Sequence, residues 1–218
     1  MAGTKKPPIG QRPEIAGLVP DGAKKILDVG CSTGDVGFLI KDRIKCEVFG
    51  IEIDSEKASQ ASSKLDKVIT GDIEAMDPGL DKGYFDCIIF ADVLEHLRAP
   101  LKTVKKYSYY LKDDGIFIIS LPNVRHIKVL FDTIVLGEWK YEPFGIMDET
   151  HLRFFTLKSS RRMIEEAGLE PILKKRIFSL KGSRIINFLT LGIFKNFLTA
   201  QYVFVAAKKS MNKKPRRG

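Results

Sequence analysis

Apolar runs of six to nine residues recur along the first 123 positions: "KKILDVGC" (24–31), "CEVFGIEID" (46–54), "KVITGD" (67–72), "YFDCIIFAD" (84–92) and "GIFIISLPN" (115–123). Most are nearly continuous in apolar character rather than alternating, the pattern of strands covered on both faces. The stretches between them change period. "SEKASQASSKL" puts Ala58, Ala61 and Leu65 on one helical face with Ser55 as N-cap. "LRAPLKTVKKYSYYL" does the same with Leu97, Leu101, Val104 and Leu111, and Pro100 falls in its first turn. Strands alternating with helices predict an α/β fold built on a mostly parallel sheet with helices on both faces.

The rhythm breaks after Asn123. Residues 124–156 read as a helical and loop insertion after strand five, placed to cap a substrate. Thr156 then caps "LKSSRRMIEEAG", with Gly168 as its stop. "PILKKRIFSL" (171–180) and "QYVFVAAKK" (201–209) are two further strands. Between them, residues 185–194 hold seven large apolar side chains flanked by Arg184 and Lys195. This stretch is expected to form a buried helix or a lid rather than a surface-seeking amphipathic element, with a subunit contact as its other use. The chain thus divides into an N-terminal extension (1–23), one domain (24–207) and a basic tail (208–218).

With 218 residues, 44% of them hydrophobic, the chain can bury one sizeable core. No apolar run reaches the roughly 18 residues of a membrane span. The polar, proline-rich "MAGTKKPPIGQRP" is not a secretion signal. Cys31, Cys46 and Cys87 lack metal-type spacing and lie in or beside strand-like runs, as reduced core thiols of a cytoplasmic protein do. The net charge of +9 is largely local: Lys208, Lys209, Lys213, Lys214, Arg216 and Arg217 supply six of it, leaving +3 for the rest. Such a tail serves solubility or attracts phosphate-bearing partners, and the absence of interleaved aromatics or glycines favours the first.

The densest chemistry lies in "ILDVGCSTGD" (26–35), where a core strand runs into glycines beside a carboxylate. Gly30 and Gly34 are four apart, so the G-x-G-x-x-G spacing is missing, and no G-x-x-x-x-G-K-[ST] loop is present. Asp28 would repel a pyrophosphate and suits a cationic ligand. Glu52, at the end of strand two, can accept from a ribose diol, and Asp72, at the end of strand three, from an exocyclic amine. A ligand with an ammonium group, a ribose and an adenine answers all three acids. S-adenosylmethionine is such a ligand.

"ILDVGCSTG", "VFGIEID", "TGDIEAMD" and "FDCIIFADVLEHL", in this order, resemble the class I S-adenosylmethionine-dependent methyltransferases over residues 24–123. The resemblance implies a Rossmann-like sheet of seven strands with the last antiparallel. It makes Asp28 the partner of the methionine ammonium group, with Gly30, Cys31, Ser32 and Gly34 lining the loop. Glu52 would hold the ribose, Ile53 would pack on adenine, Asp72 and Ile73 would meet the adenine edge, and Ala91 completes the set. Ser32 stands where the common loop carries its middle glycine. A narrower resemblance over 121–168 ("LPNVRH", "LGEWKYEPFGIMDETHLRFFT", "SSRRMIEEAGLEP") is to methyltransferases of sugar and cell-envelope polysaccharide biosynthesis. It implies a sugar hydroxyl as acceptor, and the leading function is methyl transfer to a small-molecule or saccharide hydroxyl.

In-line methyl transfer to an alcohol needs positioning and a base for the hydroxyl proton. The histidines are His96, His126 and His151. His151 follows Asp148 by three residues, so an Asp–His pair can form a base; the alternative is that His151 and Arg153 fix the loop to the sheet. His126, just after strand five, can also reach the acceptor, the alternative being that its helix places it in solvent. Asp92, Glu95 and His96 resemble acidic-histidine segments that bind metal in some quinone-biosynthesis O-methyltransferases. A helix would turn Glu95 and His96 about 100° apart, however, and no metal is expected. Trp139 and Tyr141 anchor the insertion or stack on the acceptor. Two other functions stay open: an RNA or protein methyltransferase using the basic tail, against which "ADVL" stands where an N-P-P-Y-like tetrapeptide is frequent, and a non-catalytic cofactor-binding regulator.

Overall fold

The computed structural model describes residues 12–178 and 188–209. Its strands are β1 (Lys25–Val29), β2 (Glu47–Glu52), β3 (Lys67–Thr70), β4 (Phe85–Ala91), β5 (Leu111–Pro122), β6 (Leu169–Phe178) and β7 (Thr199–Lys208). They form one seven-stranded sheet in the order β3-β2-β1-β4-β5-β7-β6. The pairs among β1 to β5 are parallel, and β7 runs antiparallel between β5 and β6. This is the expected Rossmann-like sheet, with its antiparallel last strand. The chain moves outward from β1 to β3, then returns to place β4 on the other side of β1. That reversal opens a crevice at the carboxyl ends of β1 and β4, where ligands of such sheets bind.

Helices α1 (Pro13–Ala16), α2 (Asp35–Arg43), α3 (Ser55–Ala61), α4 (Pro100–Tyr107), α5 (Ile127–Leu130), α6 (Leu157–Glu166) and α7 (Lys195–Leu198) flank the sheet. The period of two along the strands splits the core. Leu27, Val29, Ile88 and Phe90 face a layer containing Val104 and Tyr107 of α4 and Ile164 of α6. Ile26, Cys87 and Ile89 face the other way, toward Ile15 of α1 and Ile40 of α2. Ile15, Ala16, Val19 and Ala23, all within the N-terminal extension, are therefore core residues.

Local detail departs from expectation where side-chain chemistry outweighs period. Asp54, not Ser55, caps α3, its carboxylate accepting from the amides of Glu56 and Lys57. Helix α4 stops at Tyr107, and Leu111 opens β5 beside Phe85. Thr156 caps α6 as expected, in a reciprocal box with Ser159. For the apolar stretch 185–194, residues 185–187 lie outside the described residues. The remainder is neither buried nor one continuous helix: Phe188, Leu189, Leu191 and Ile193 are exposed, and positive φ at Leu191 and Gly192 breaks the turn. No helix among the described residues is long and apolar enough to cross a membrane.

Candidate active site

The loop after β1 is bent by its backbone. The amides of Gly30 and Cys31 both donate to Ile51 O, at 2.8 and 3.0 Å, so the chain folds across the end of β2. Gly30 has φ +74°, and a Cβ there would lie 2.5 Å from Val93 Cγ2. Gly34, at φ +78°, is the N-cap of α2. Glycine is needed at both places. Ser32 tolerates φ +49° in the position the resemblance assigns to glycine. Burial, with Asp28 and Glu52 nearby, drives the Cys31 thiol pKa upward, so Cys31 packs rather than attacks.

Asp28 is buried at 2% exposure, and among the described residues its Oδ2 has no hydrogen-bond partner. Burial first, and the neighbouring Glu52 second, raise its pKa to about 7. An orphaned buried carboxylate oxygen is what a cationic ligand would satisfy. Asp28 lines a cleft of about 230 Å³ together with Gly30, Cys31, Ser32, Ala91 and Asp92. Glu52 sits at the tip of β2 and accepts from the amides of Ser32 (2.8 Å), Ile53 and Asp54 (3.0 Å each). Three of its four lone-pair sites are thus taken by the loop it braces, leaving one for a ligand hydroxyl. Ile53 is 68% exposed beside it, as a residue packing on a ligand ring must be. Asp72 is exposed at the tip of β3 and accepts from the amide of Glu74 (2.8 Å), whereas Ile73 is buried in the core.

Arg12, which sequence reasoning missed, closes the cleft. It pairs with Asp92 and donates to Ser120 Oγ and Gln201 Oε1 at 3.2 Å each. A guanidinium facing the Asp28 cleft can hold a carboxylate, so the two ends of an amino acid would find opposite charges. The proline-rich stretch gave no periodic signal to mark it. Asp92 itself has φ +58°, and Ser120 Oγ and Gln201 Nε2 hold its Oδ1 at 2.8 Å.

A second cavity, of about 510 Å³, shares Asp92 with this cleft. Its walls include Glu95, His96, His126, Asp148 and His151. The insertion reaches it because Asn123, fully buried, donates through Nδ2 to the carbonyls of Asn196 and Thr199 (2.8 Å each) and locks the end of β5 to β7. The amides of Leu152 and Arg153 then donate to Glu95 O (2.9 Å each), and the Arg153 guanidinium donates to Arg98 O. Arg153 therefore fastens the loop. Trp139 and Tyr141, both half-exposed, pack on Phe154.

The Asp148–His151 pair does not form. Asp148 Oδ1 accepts instead from the amide (2.8 Å) and hydroxyl (2.6 Å) of Thr150, because the chain turns tightly there. Burial alone would raise the Asp148 pKa, but these bonds hold it below the usual range. His151 turns inward, its Nδ1 bonded to Ile146 O at 3.0 Å and its Nε2 4.0 Å from Glu95 Oε1. Burial keeps its imidazole neutral to lower pH than usual. Glu95 is 1% exposed, and desolvation raises its pKa to about 8. His126 is buried too, its Nδ1 accepting from the amide of Lys128 at 3.3 Å as the cap of α5.

A mostly parallel sheet with a reversed order, a glycine-bent loop after β1 and acids at successive strand tips define a Rossmann-like class I methyltransferase. A model of the methyltransferase-domain family matches residues 9–174, and the chain belongs to that family. It is an S-adenosylmethionine-dependent methyltransferase. An uncharacterized protein of Methanocaldococcus jannaschii is 26% identical over 203 residues, covering 86% of this chain and 77% of its own. A Cereibacter sphaeroides protein named ubiquinone biosynthesis O-methyltransferase is 26% identical over 196 residues, covering 86% and 76%. Among solved structures, an S-adenosylmethionine-dependent methyltransferase from Archaeoglobus fulgidus superposes with a TM-score of 0.61 at 20% identity, covering 86% of this chain and 87% of that one.

Proposed function

We propose that the protein methylates a hydroxyl of a small molecule seated in the larger cavity. The observation that carries this reading is Asp92, which lines both the Asp28 cleft and the cavity walled by His96, His126 and His151. S-adenosylmethionine supplies an electrophilic methyl group. Asp28 receives the ammonium group, Arg12 the carboxylate, and Glu52 a ribose hydroxyl through its remaining lone pair, with Ile53 against the adenine and Asp72 at its edge. A volume of about 510 Å³ is within the range of small-ligand sites. The hydroxyl proton must leave, and His151 Nε2, in the wall of that cavity, can take it, while His126 orients the acceptor.

The acceptor class follows from two supports. The Cereibacter relative is named for O-methylation in ubiquinone biosynthesis, which favours a small aromatic hydroxyl. The resemblance of residues 121–168 to polysaccharide-associated methyltransferases favours a sugar hydroxyl. A radiolabelled methyl screen over phenols, quinols, nucleotide sugars, RNA and protein tests both. Label appearing only in RNA or protein would refute the reading, as would no transfer by protein that binds the donor.

A further inference from the structure

Two imidazoles and a carboxylate meet in the wall of the larger cavity. Glu95, His96 and His151 each offer one ligand atom, all within 4.8 Å of one another. The surrounding hydrogen bonds decide which ring nitrogens carry protons. Thr150 Oγ1 gives its hydrogen to Asp148 Oδ1 at 2.6 Å, so toward His96 Nδ1, 2.9 Å away, it can only accept. His96 is therefore protonated at Nδ1. Ile146 O, a carbonyl, imposes the same tautomer on His151 at 3.0 Å. Each ring keeps an Nε2 lone pair. Glu95 is 1% exposed, and its Oε2 has no partner. Among the described residues nothing donates to that oxygen. Electron-pair donors thus gather where a hydrogen-bonded core would need hydrogens.

We propose that Glu95, His96 and His151 hold a divalent transition-metal ion, zinc foremost, through one carboxylate oxygen and two imidazole nitrogens. Two ligands at about 2.0–2.2 Å from a tetrahedral ion stand about 3.4 Å apart, so the 4.0 Å between His151 Nε2 and Glu95 Oε1 closes by about 0.6 Å, and no pair within the 4.8 Å spread closes by more than about 1.4 Å. Nδ1–H groups bound to a carbonyl and a hydroxyl are the outer support that ligating histidines use. Two imidazoles favour zinc, cobalt or iron, whereas magnesium prefers an all-oxygen octahedron. This set differs from the Asp92, Glu95 and His96 group considered from the sequence. Ser120, Gln201 and Arg12 occupy the Asp92 carboxylate. Glu95 and His96 lie in a single 3₁₀ turn, not an α-helix, and the loop docked on Glu95 O brings in His151. Resting on the hydroxyl-acceptor reading, three protein ligands leave a position for the acceptor oxygen, whose proton an ion makes easier to lose; His151 is then a ligand rather than the base.

The test titrates chelator-stripped, full-length protein with Co²⁺ and Zn²⁺. One equivalent of Co²⁺ should give visible d–d absorption without the thiolate charge-transfer band that cysteine ligation would add, and Zn²⁺ but not Mg²⁺ should erase it. Thr150→Val, which removes the support of His96, should weaken binding about 10–100-fold, and Glu95→Gln and His151→Ala by more. Each variant's folding is checked by its heat of S-adenosylmethionine binding. Absence of a stoichiometric site in the wild type, or binding unchanged in Glu95→Gln and His151→Ala, overturns the assignment. Protein that methylates a small-molecule hydroxyl yet binds no ion overturns this inference alone. Protein that binds the ion but methylates only RNA or protein overturns the acceptor reading and leaves the metal site standing.

Discussion

Acidification from about pH 7.4 to about pH 6 should weaken S-adenosylmethionine binding about sixfold, and Asp28 is the reason. Without ligand its pKa stands near 7, because burial and Glu52 both oppose the charged form. An ammonium group binds the ionised carboxylate, so below that pKa a proton must first be driven off. The ionised fraction falls from about 0.7 at pH 7.4 to about 0.09 at pH 6. The ligand's α-amino group, with a pKa of about 7.8, goes from about 0.7 protonated to almost fully protonated. The product of the two fractions falls about sixfold, and affinity should peak between about pH 7 and pH 8. Calorimetry in buffers of different ionisation heat should record about 0.9 proton released per ligand at pH 6. Asp28→Asn should bind more weakly at pH 7.4 and lose the acid limb. Constant affinity across this range, with no proton release, would refute the contact between Asp28 and the ammonium group.

The same residue makes a prediction about the ligand-free protein. A carboxylate whose folded pKa is raised destabilises the fold progressively from about pH 4, completely above about pH 7, by about 4 kcal/mol at most. Asp28→Asn should therefore raise the melting temperature at pH 8 by several degrees and change it little at pH 4; a lower melting temperature at pH 8 would contradict the burial argument. Arg12→Ala should raise the KM for S-adenosylmethionine about tenfold, the worth of a charge-assisted contact of about 1.5 kcal/mol. Arg12→Lys should recover only part of this, since a lysine lacks the fork that spans Asp92 and Gln201. Asn123→Ala removes the side-chain donor to the Asn196 and Thr199 carbonyls and should cost about 2–4 kcal/mol, read as a lower urea midpoint at unchanged m-value.

The sheet was legible because burial on both faces writes long apolar runs, and the loop after β1 because its backbone needs glycine at Gly30 and Gly34. Asp28, Glu52 and Asp72 could be placed because strand ends put them there. What escaped was set by contacts distant in sequence. Nothing local shows that Arg12 crosses to Asp92, 80 residues on. The Asp148–His151 spacing suggested a pair, but Thr150, lying between them, is the nearer donor and takes the carboxylate. His151 instead meets Glu95, a partnership created by backbone amides that any residues at 152 and 153 other than proline would supply. The apolar content of 188–194 suggested burial, yet positive φ at Leu191 and Gly192 turns those side chains outward.

The position of β7 bears on how the molecule is made. Among the described residues, strand β6 has no neighbour in the sheet except β7, and the outer edge of β5 has none until β7 arrives. During translation both edges therefore stay open while some twenty further residues are synthesised. A stalled or truncated nascent chain ending before Thr199 would display two unsatisfied strand edges to chaperones and to other chains.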